Sequence, residues 1–126
     1  MDRDASAPGP LIQGFAGGGF RIDGATYPAV LLTSESATLW SPPPLADLAD
    51  SDFAALLDAA LEFILLGTGA ILLRPPAALR AAFAKRSLGL EAMDSRAAAR
   101  AWGVLRGEGR RIAAALYPLP TEGEAR

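Results

Sequence analysis

Cysteine and histidine are both absent from this 126-residue sequence. Without cysteine there is no disulfide, no thiolate zinc site and no thiol nucleophile. Without histidine the commonest general base and the commonest metal ligand are gone. The two absences exclude Ser-His-Asp and Cys-His hydrolases and every histidine-ligated metal centre. The expectation is no enzyme activity, no catalytic residue, no metal site and no cofactor. Lysine is nearly missing too. Lys85 is the single one, and the formal net charge is −2, so nothing overall draws the chain to nucleic acid. Long hydrophobic runs are lacking as well. The longest apolar stretch, Phe63 to Leu73, is interrupted by Gly67, Thr68 and Gly69. That is far short of the about 20 residues a membrane helix needs. Met1-Asp2-Arg3-Asp4 is mixed in charge and leads into Pro8-Gly9-Pro10, unlike a secretory signal or a transit peptide. A cytoplasmic location without a membrane span is expected.

What is present suits a folded domain. With 51% hydrophobic and 21% charged residues, the chain falls among globular rather than disordered sequences. Its length predicts one domain over 1–126, with flexible tails at 1–13 and 121–126. Gly14, Gly17, Gly18 and Gly19 give the start too much freedom for regular structure. From Phe20 the residues favour strands: Phe20, Ile22, then Tyr27, Val30, Leu31 and Leu32. Asp23-Gly24 between them signals a hairpin. Thr38-Leu39-Trp40 reads as another strand, halted by Pro42, Pro43 and Pro44.

The second half alternates. Asp50 or Ser51 caps a helix whose inner face holds Phe53, Leu56, Leu57, Ala60 and Leu61. Phe63 to Leu66 is apolar on both sides, as in a buried parallel strand. Pro75 or Pro76 starts the next helix, faced by Leu79, Ala82 and Phe83 and closed by Gly89. Leu90 to Met93 is a strand. Asp94 or Ser95 caps a third helix, with Ala98, Trp102 and Leu105 inward. Ile112 to Tyr117 is the last strand. This pattern predicts a layered α/β domain. Its mixed central sheet has parallel strands joined by helices in the C-terminal half and antiparallel hairpin strands from the N-terminal half.

Ligands of open α/β sheets sit beyond the carboxyl ends of the strands. Gly67-Thr68-Gly69 and Asp94-Ser95 lie there, and with Arg100 they are the candidate binding residues. The loop could present backbone amides to a nucleotide phosphate or another anion. It lacks the third glycine of a dinucleotide fingerprint and the lysine of a P-loop. A tight turn that lets the chain leave the sheet is the competing explanation, and a helix cap explains Asp94 and Ser95. A serine nucleophile would need Lys85 as its base, and no motif links the two. Arg96, Arg106 and Arg110, with Trp40 beside the proline run, are the candidate interaction surface. A solvated helix face and a strand-terminal packing role compete with that reading.

One set of motifs carries a resemblance. Gly19-Phe20-Arg21-Ile22-Asp23-Gly24, Trp40 and Leu65-Leu66-Gly67-Thr68-Gly69 occur in order. Met93 to Arg100, Val104-Leu105 and Glu108-Gly109-Arg110-Arg111-Ile112 to Leu116 complete it. The chain resembles the Mth-like family of unknown function over residues 14–120. That family includes a mitochondrial respiratory complex I assembly factor and the adipogenesis-associated Mth-like protein. The resemblance implies a layered α/β fold, no established activity and no cofactor. It also implies a protein partner, for some members in assembly of the membrane-bound NADH dehydrogenase, and leaves self-association open. The sequence departs from the family at Ser95, Ala99 and Ala101-Trp102-Gly103, where relatives carry Thr, Cys and a Thr-Tyr-Asn run.

Overall fold

The computed structural model describes residues 9–57 and 60–120. Regular structure begins earlier than the glycines suggested. Strand β1 (Gly14–Ala16) pairs antiparallel with β2 (Gly19–Ile22), and β2 pairs with β3 (Ala25–Tyr27). Glycine shapes the turn here instead of dissolving the strands. Gly17 and Gly18 have φ of 59° and 80°, and Asp23 and Gly24 have 53° and 82°. Two successive positive φ values define the mirror-image hairpin turn whose twist matches that of the strands it joins. The tail expected over 1–13 is held where it is described. Gln13 N–H donates to the Arg21 carbonyl at 2.8 Å, and Trp102 Nε1–H donates to the Pro10 carbonyl at 3.0 Å. The rest of that expectation, residues 1–8 and 121–126, lies outside the described residues.

The main sheet holds β4 (Val30–Leu32), β5 (Ala37–Leu39), β6 (Phe63–Gly67), β7 (Gly89–Met93) and β8 (Ile112–Leu116), in the order β5-β4-β8-β6-β7. β6 runs parallel to both β7 and β8, while β4 is antiparallel to β8 and β5. The parallel strands are joined by α1 (Ala77–Lys85) and α2 (Ser95–Gly107). This is the expected mixed sheet. Its core divides by strand alternation. Leu65, Val30, Leu32, Ile112, Ala114 and Leu116 face Trp102 and Ala98 of α2 and Phe20 and Ile22 of the hairpin sheet. Ile64, Leu66, Leu31, Ala113 and Ala115 face Trp40, Phe53, Leu79 and Phe83. The domain is therefore three layers deep.

Two helical expectations change. The helix expected from residue 51 to 61 is a 3-10 helix, Asp50–Leu56. Phe53 and Leu56 are its buried residues, and their spacing of three fits the 3-10 repeat. Neither Asp50 nor Ser51 caps it. Ala49 takes the cap position, and its N–H donates to Asp52 Oδ2 at 2.9 Å. Pro76 sits just before α1 rather than inside it. The helix then ends through Ser87, at φ 55°, so Gly89 is free to open β7.

Candidate functional site

The parallel strands end in a shared crevice, because α1 leaves β6 toward one face and α2 leaves β7 toward the other. Such a switch point is where open α/β sheets bind ligands. Here the chain fills it with its own groups. Gly67, Thr68 and Gly69 are all buried. A Cβ on Gly67 would lie 2.7 Å from Ser95 Oγ and 2.9 Å from Ser95 Cα, so glycine is needed for α2 to begin this close. Ser95 is fully buried. Its Oγ accepts from the Gly69 N–H at 2.8 Å and donates to the Tyr117 carbonyl at 2.8 Å. Its own N–H donates to the Gly69 carbonyl at 2.8 Å, and the Tyr117 N–H donates to the Gly67 carbonyl at 2.9 Å. One hydroxyl thus fastens the ends of β6 and β8 to the start of α2.

Asp94 and Thr68 are equally engaged. Asp94 Oδ1 accepts from the Ala97 N–H at 2.9 Å, the N-cap bond expected of an aspartate there. Thr68 Oγ1 donates to the Ile71 carbonyl at 2.7 Å and accepts from the Leu73 N–H at 3.0 Å. Arg100 does not join this group. It is exposed and lines a groove with Ile12, Gln13 and Phe15.

The candidate interaction residues do not share one surface. Trp40, expected as an exposed recognition residue, is buried at 9% exposure. Its ring lies 5.3 Å from Tyr117 and 6.1 Å from Phe53, in the same core cluster as Leu48 and Phe53, which follow the prolines. Arg106 is also buried, at 6% exposure. It donates to the Arg110 carbonyl at 2.8 Å and so closes the α2 terminus. Arg96 stays exposed at the opposite end of the helix, its guanidinium 4.9 Å from the Phe15 ring centroid. Arg110 pairs with Glu62 at 2.8 Å. That bond, with the Arg111 N–H, holds the Glu62 carboxyl below its ordinary range. Tyr117 Oη donates to the Pro43 carbonyl at 2.7 Å. Burial, with Asp52 and Asp47 nearby, pushes this phenol up to about 12.

Sequence reasoning missed the outer side of the β6–α1 connection. Ile71, Leu72 and Leu73 are 64%, 60% and 43% exposed. The signal was present: an apolar run sits between Gly69 and Pro75, where a connection is normally polar. Thr68, through the two bonds above, holds that run in place beside β7. Among the described residues no helix is long and apolar enough to cross a membrane, and no cluster of acidic side chains could hold a metal.

These features define a class, the three-layer mixed α/β domain of Mth938-like type. A solution structure of a Bordetella pertussis Mth938-like domain shares the fold, with TM-score 0.74 at 22% identity, covering 100% of this chain and 96% of that one. The chain belongs to the family described as protein of unknown function, DUF498/DUF598, which it matches over residues 12–117. It is similar to an uncharacterized protein of Rhodobacter capsulatus, 35% identical over 112 residues, 86% of this chain and 85% of that protein. A crystal structure of a Bordetella parapertussis protein has TM-score 0.79 and 30% identity, covering 88% of this chain and 97% of that chain. The expected Mth-like resemblance therefore holds at the level of family and fold.

Proposed function

We propose that this chain is a non-catalytic interaction protein that assists the assembly of a larger complex. The observation that carries this reading is the contiguous exposure of Ile71, Leu72 and Leu73 at 64%, 60% and 43%. Apolar surface gathered in one place, and pinned by the buried Thr68 hydroxyl, marks a contact site more than scattered exposed side chains do. The buried hydroxyls at the strand ends are committed to backbone bonds, which supports a role without chemistry there. The resemblance to the Mth-like family, which includes a respiratory complex I assembly factor, makes the membrane-bound NADH dehydrogenase the first complex to test.

The test is affinity capture of the full chain from its native cell in mild detergent, read by mass spectrometry. The expected result is a reproducible partner, NADH dehydrogenase subunits first, lost from a Leu72→Asp variant that keeps its thermal unfolding transition. No partner above background, or equal capture by the variant, would refute the reading.

A second reading, a small-anion module, is favoured by one cleft away from the Gly67–Gly69 loop. It measures about 340 Å³ and is lined by Thr33, Ser34, Arg106 and Arg111 among apolar residues. A thermal-shift titration with inorganic phosphate tests it. A rise in Tm that Arg111→Ala abolishes supports this reading, and no rise removes it.

A further inference from the structure

β7 is an edge strand, next to β6 alone. The Thr68 N–H donates to the Met93 carbonyl at 2.9 Å, so Met93 turns its backbone groups inward, toward β6. Backbone groups alternate sides along a strand. The N–H and C=O groups of Leu90 and Ala92 therefore face outward. Among the described residues, none of them has a backbone partner beyond the sheet. Folded proteins usually blunt such an edge with charge, proline or a covering loop. Here the flank is apolar with two arginines beside it. Leu90 and Ala92 line a groove of about 470 Å³ with Leu72, Leu73 and Pro75, and Arg74 and Arg80 line the same groove.

We propose that this edge receives an extended segment of a different protein, added as a new strand beside β7. The segment's groove-facing side chains are apolar with acidic neighbours. Each part follows from one observation. The outward backbone of Leu90 and Ala92 supplies main-chain hydrogen bonds, the source of affinity in strand addition. Leu72 and Leu73 cover apolar side chains. Arg74 and Arg80 select carboxylates, which guanidinium groups bind in forked geometry. A second copy of this chain is the poorer occupant. Antiparallel self-pairing about the middle of β7 sets Glu91 of one copy against Glu91 of the other, and like charges directly opposite destabilise a ladder. The proposal rests on the interaction reading above and names its surface and the chemistry of its partner.

The test uses the full chain labelled with ¹⁵N and a capped ten-residue probe peptide. Threonine in the probe alternates with glutamate, valine and isoleucine, and a matched probe carries lysine for glutamate. The expected result is slowed amide exchange at Leu90 and Ala92 on adding the acidic probe. The lysine probe should bind about fivefold or more weakly, the scale of one or two exposed ion pairs. Arg80→Glu, on the exposed side of α1, should reverse the preference. Ala92→Pro, which removes an outward N–H and no bond of the β6–β7 ladder, should abolish binding. Equal binding of the two probes, protection at β5 instead of β7, or a dimer that pairs through β7 would each overturn the proposal. The probe reads the edge without the native partner, so the two readings fail separately. Protection by the acidic probe with no native partner captured supports the edge chemistry and refutes the assembly role. A native partner captured equally by wild type, Arg80→Glu and Ala92→Pro refutes the edge and leaves the role standing.

Discussion

Ser95→Ala separates a fastening hydroxyl from a reactive one. The side chain is 0% exposed and bridges the Gly69 N–H and the Tyr117 carbonyl, both at 2.8 Å. Alanine leaves both partners without a bond, and no water reaches a fully buried Oγ position at no cost. An orphaned buried polar group costs about 1–3 kcal/mol. The Tyr117 carbonyl is only partly buried and falls at the low end of that range. Alanine's better helix propensity returns about 0.5 kcal/mol. The net loss is about 2–3 kcal/mol, a large part of the about 5–15 kcal/mol that holds a domain together. It should lower Tm by about 10 °C. Urea unfolding followed by fluorescence of the buried Trp40 and Trp102 measures it, with exposed Ser51→Ala as the neutral control. Amide exchange at Gly69 should accelerate more than at Ile64. A Ser95→Ala chain within about 0.5 kcal/mol of wild type would refute the fastening argument.

Gly67→Ala should cost more than a surface change, about 1–3 kcal/mol of overpacking, because its Cβ would meet Leu116 Cδ2 at 2.8 Å and Ser95 Cα at 2.9 Å. Adding Ser95→Ala should not rescue it, since the residue 95 backbone still blocks the new methyl group, and denaturant midpoints of the double variant check this. Tyr117 is held neutral in the fold with its phenol pushed up to about 12, while the unfolded chain ionises it near its ordinary value of about 10. Stability should therefore be complete below about pH 10 and fall as pH rises from there toward 12; Tyr117→Phe should flatten that part of a Tm-against-pH curve. Glu62 has the opposite sign: Arg110 and Arg111 lower its carboxyl below the usual 4.5. Its contribution is present above that value and lost as pH falls through the folded one, and Glu62→Gln should remove that part of the acid limb.

The strands and helices of the C-terminal half were legible because two periods agree with their lengths. Phe63 to Leu66 is apolar on both sides, and only a central strand buries both sides. Ala98 and Trp102 repeat at helical spacing, and both are buried against the sheet. The first segment failed at the same level of pattern. Phe53, Leu56, Leu57, Ala60 and Leu61 fit an α-helix, yet Phe53 and Leu56 alone fit a 3-10 turn equally. Local spacing does not choose between them over one turn; the docking of Phe53 against Trp40 and Phe83 does. The N-terminal glycines misled for a related reason. A count of glycines argues for freedom, whereas their places at Gly17 and Gly18, in a turn that demands positive φ, argue for order.

The candidate site was legible in position and not in state. Gly67-Thr68-Gly69 and Asp94-Ser95 do meet at the switch point, because strand ends and helix starts must meet in a βαβ unit. Whether such a crevice stays open depends on one distance that no sequence pattern encodes, that of the α2 start from β6. Gly67 removes the Cβ that would hold the two apart, and the serine after the Asp94 cap then reaches the strand ends with a hydroxyl that can both donate and accept. The same closure directs the connection outward. Thr68 Oγ1 is tied to the Ile71 carbonyl and the Leu73 N–H, and the apolar side chains of this run are exposed. Leu72 and Leu73 lie along β7, the edge whose outward backbone has no partner among the described residues. Gly67, Thr68 and Ser95 thus draw the strand ends and the start of α2 together, and the same Thr68 hydroxyl holds Leu72 and Leu73 beside β7.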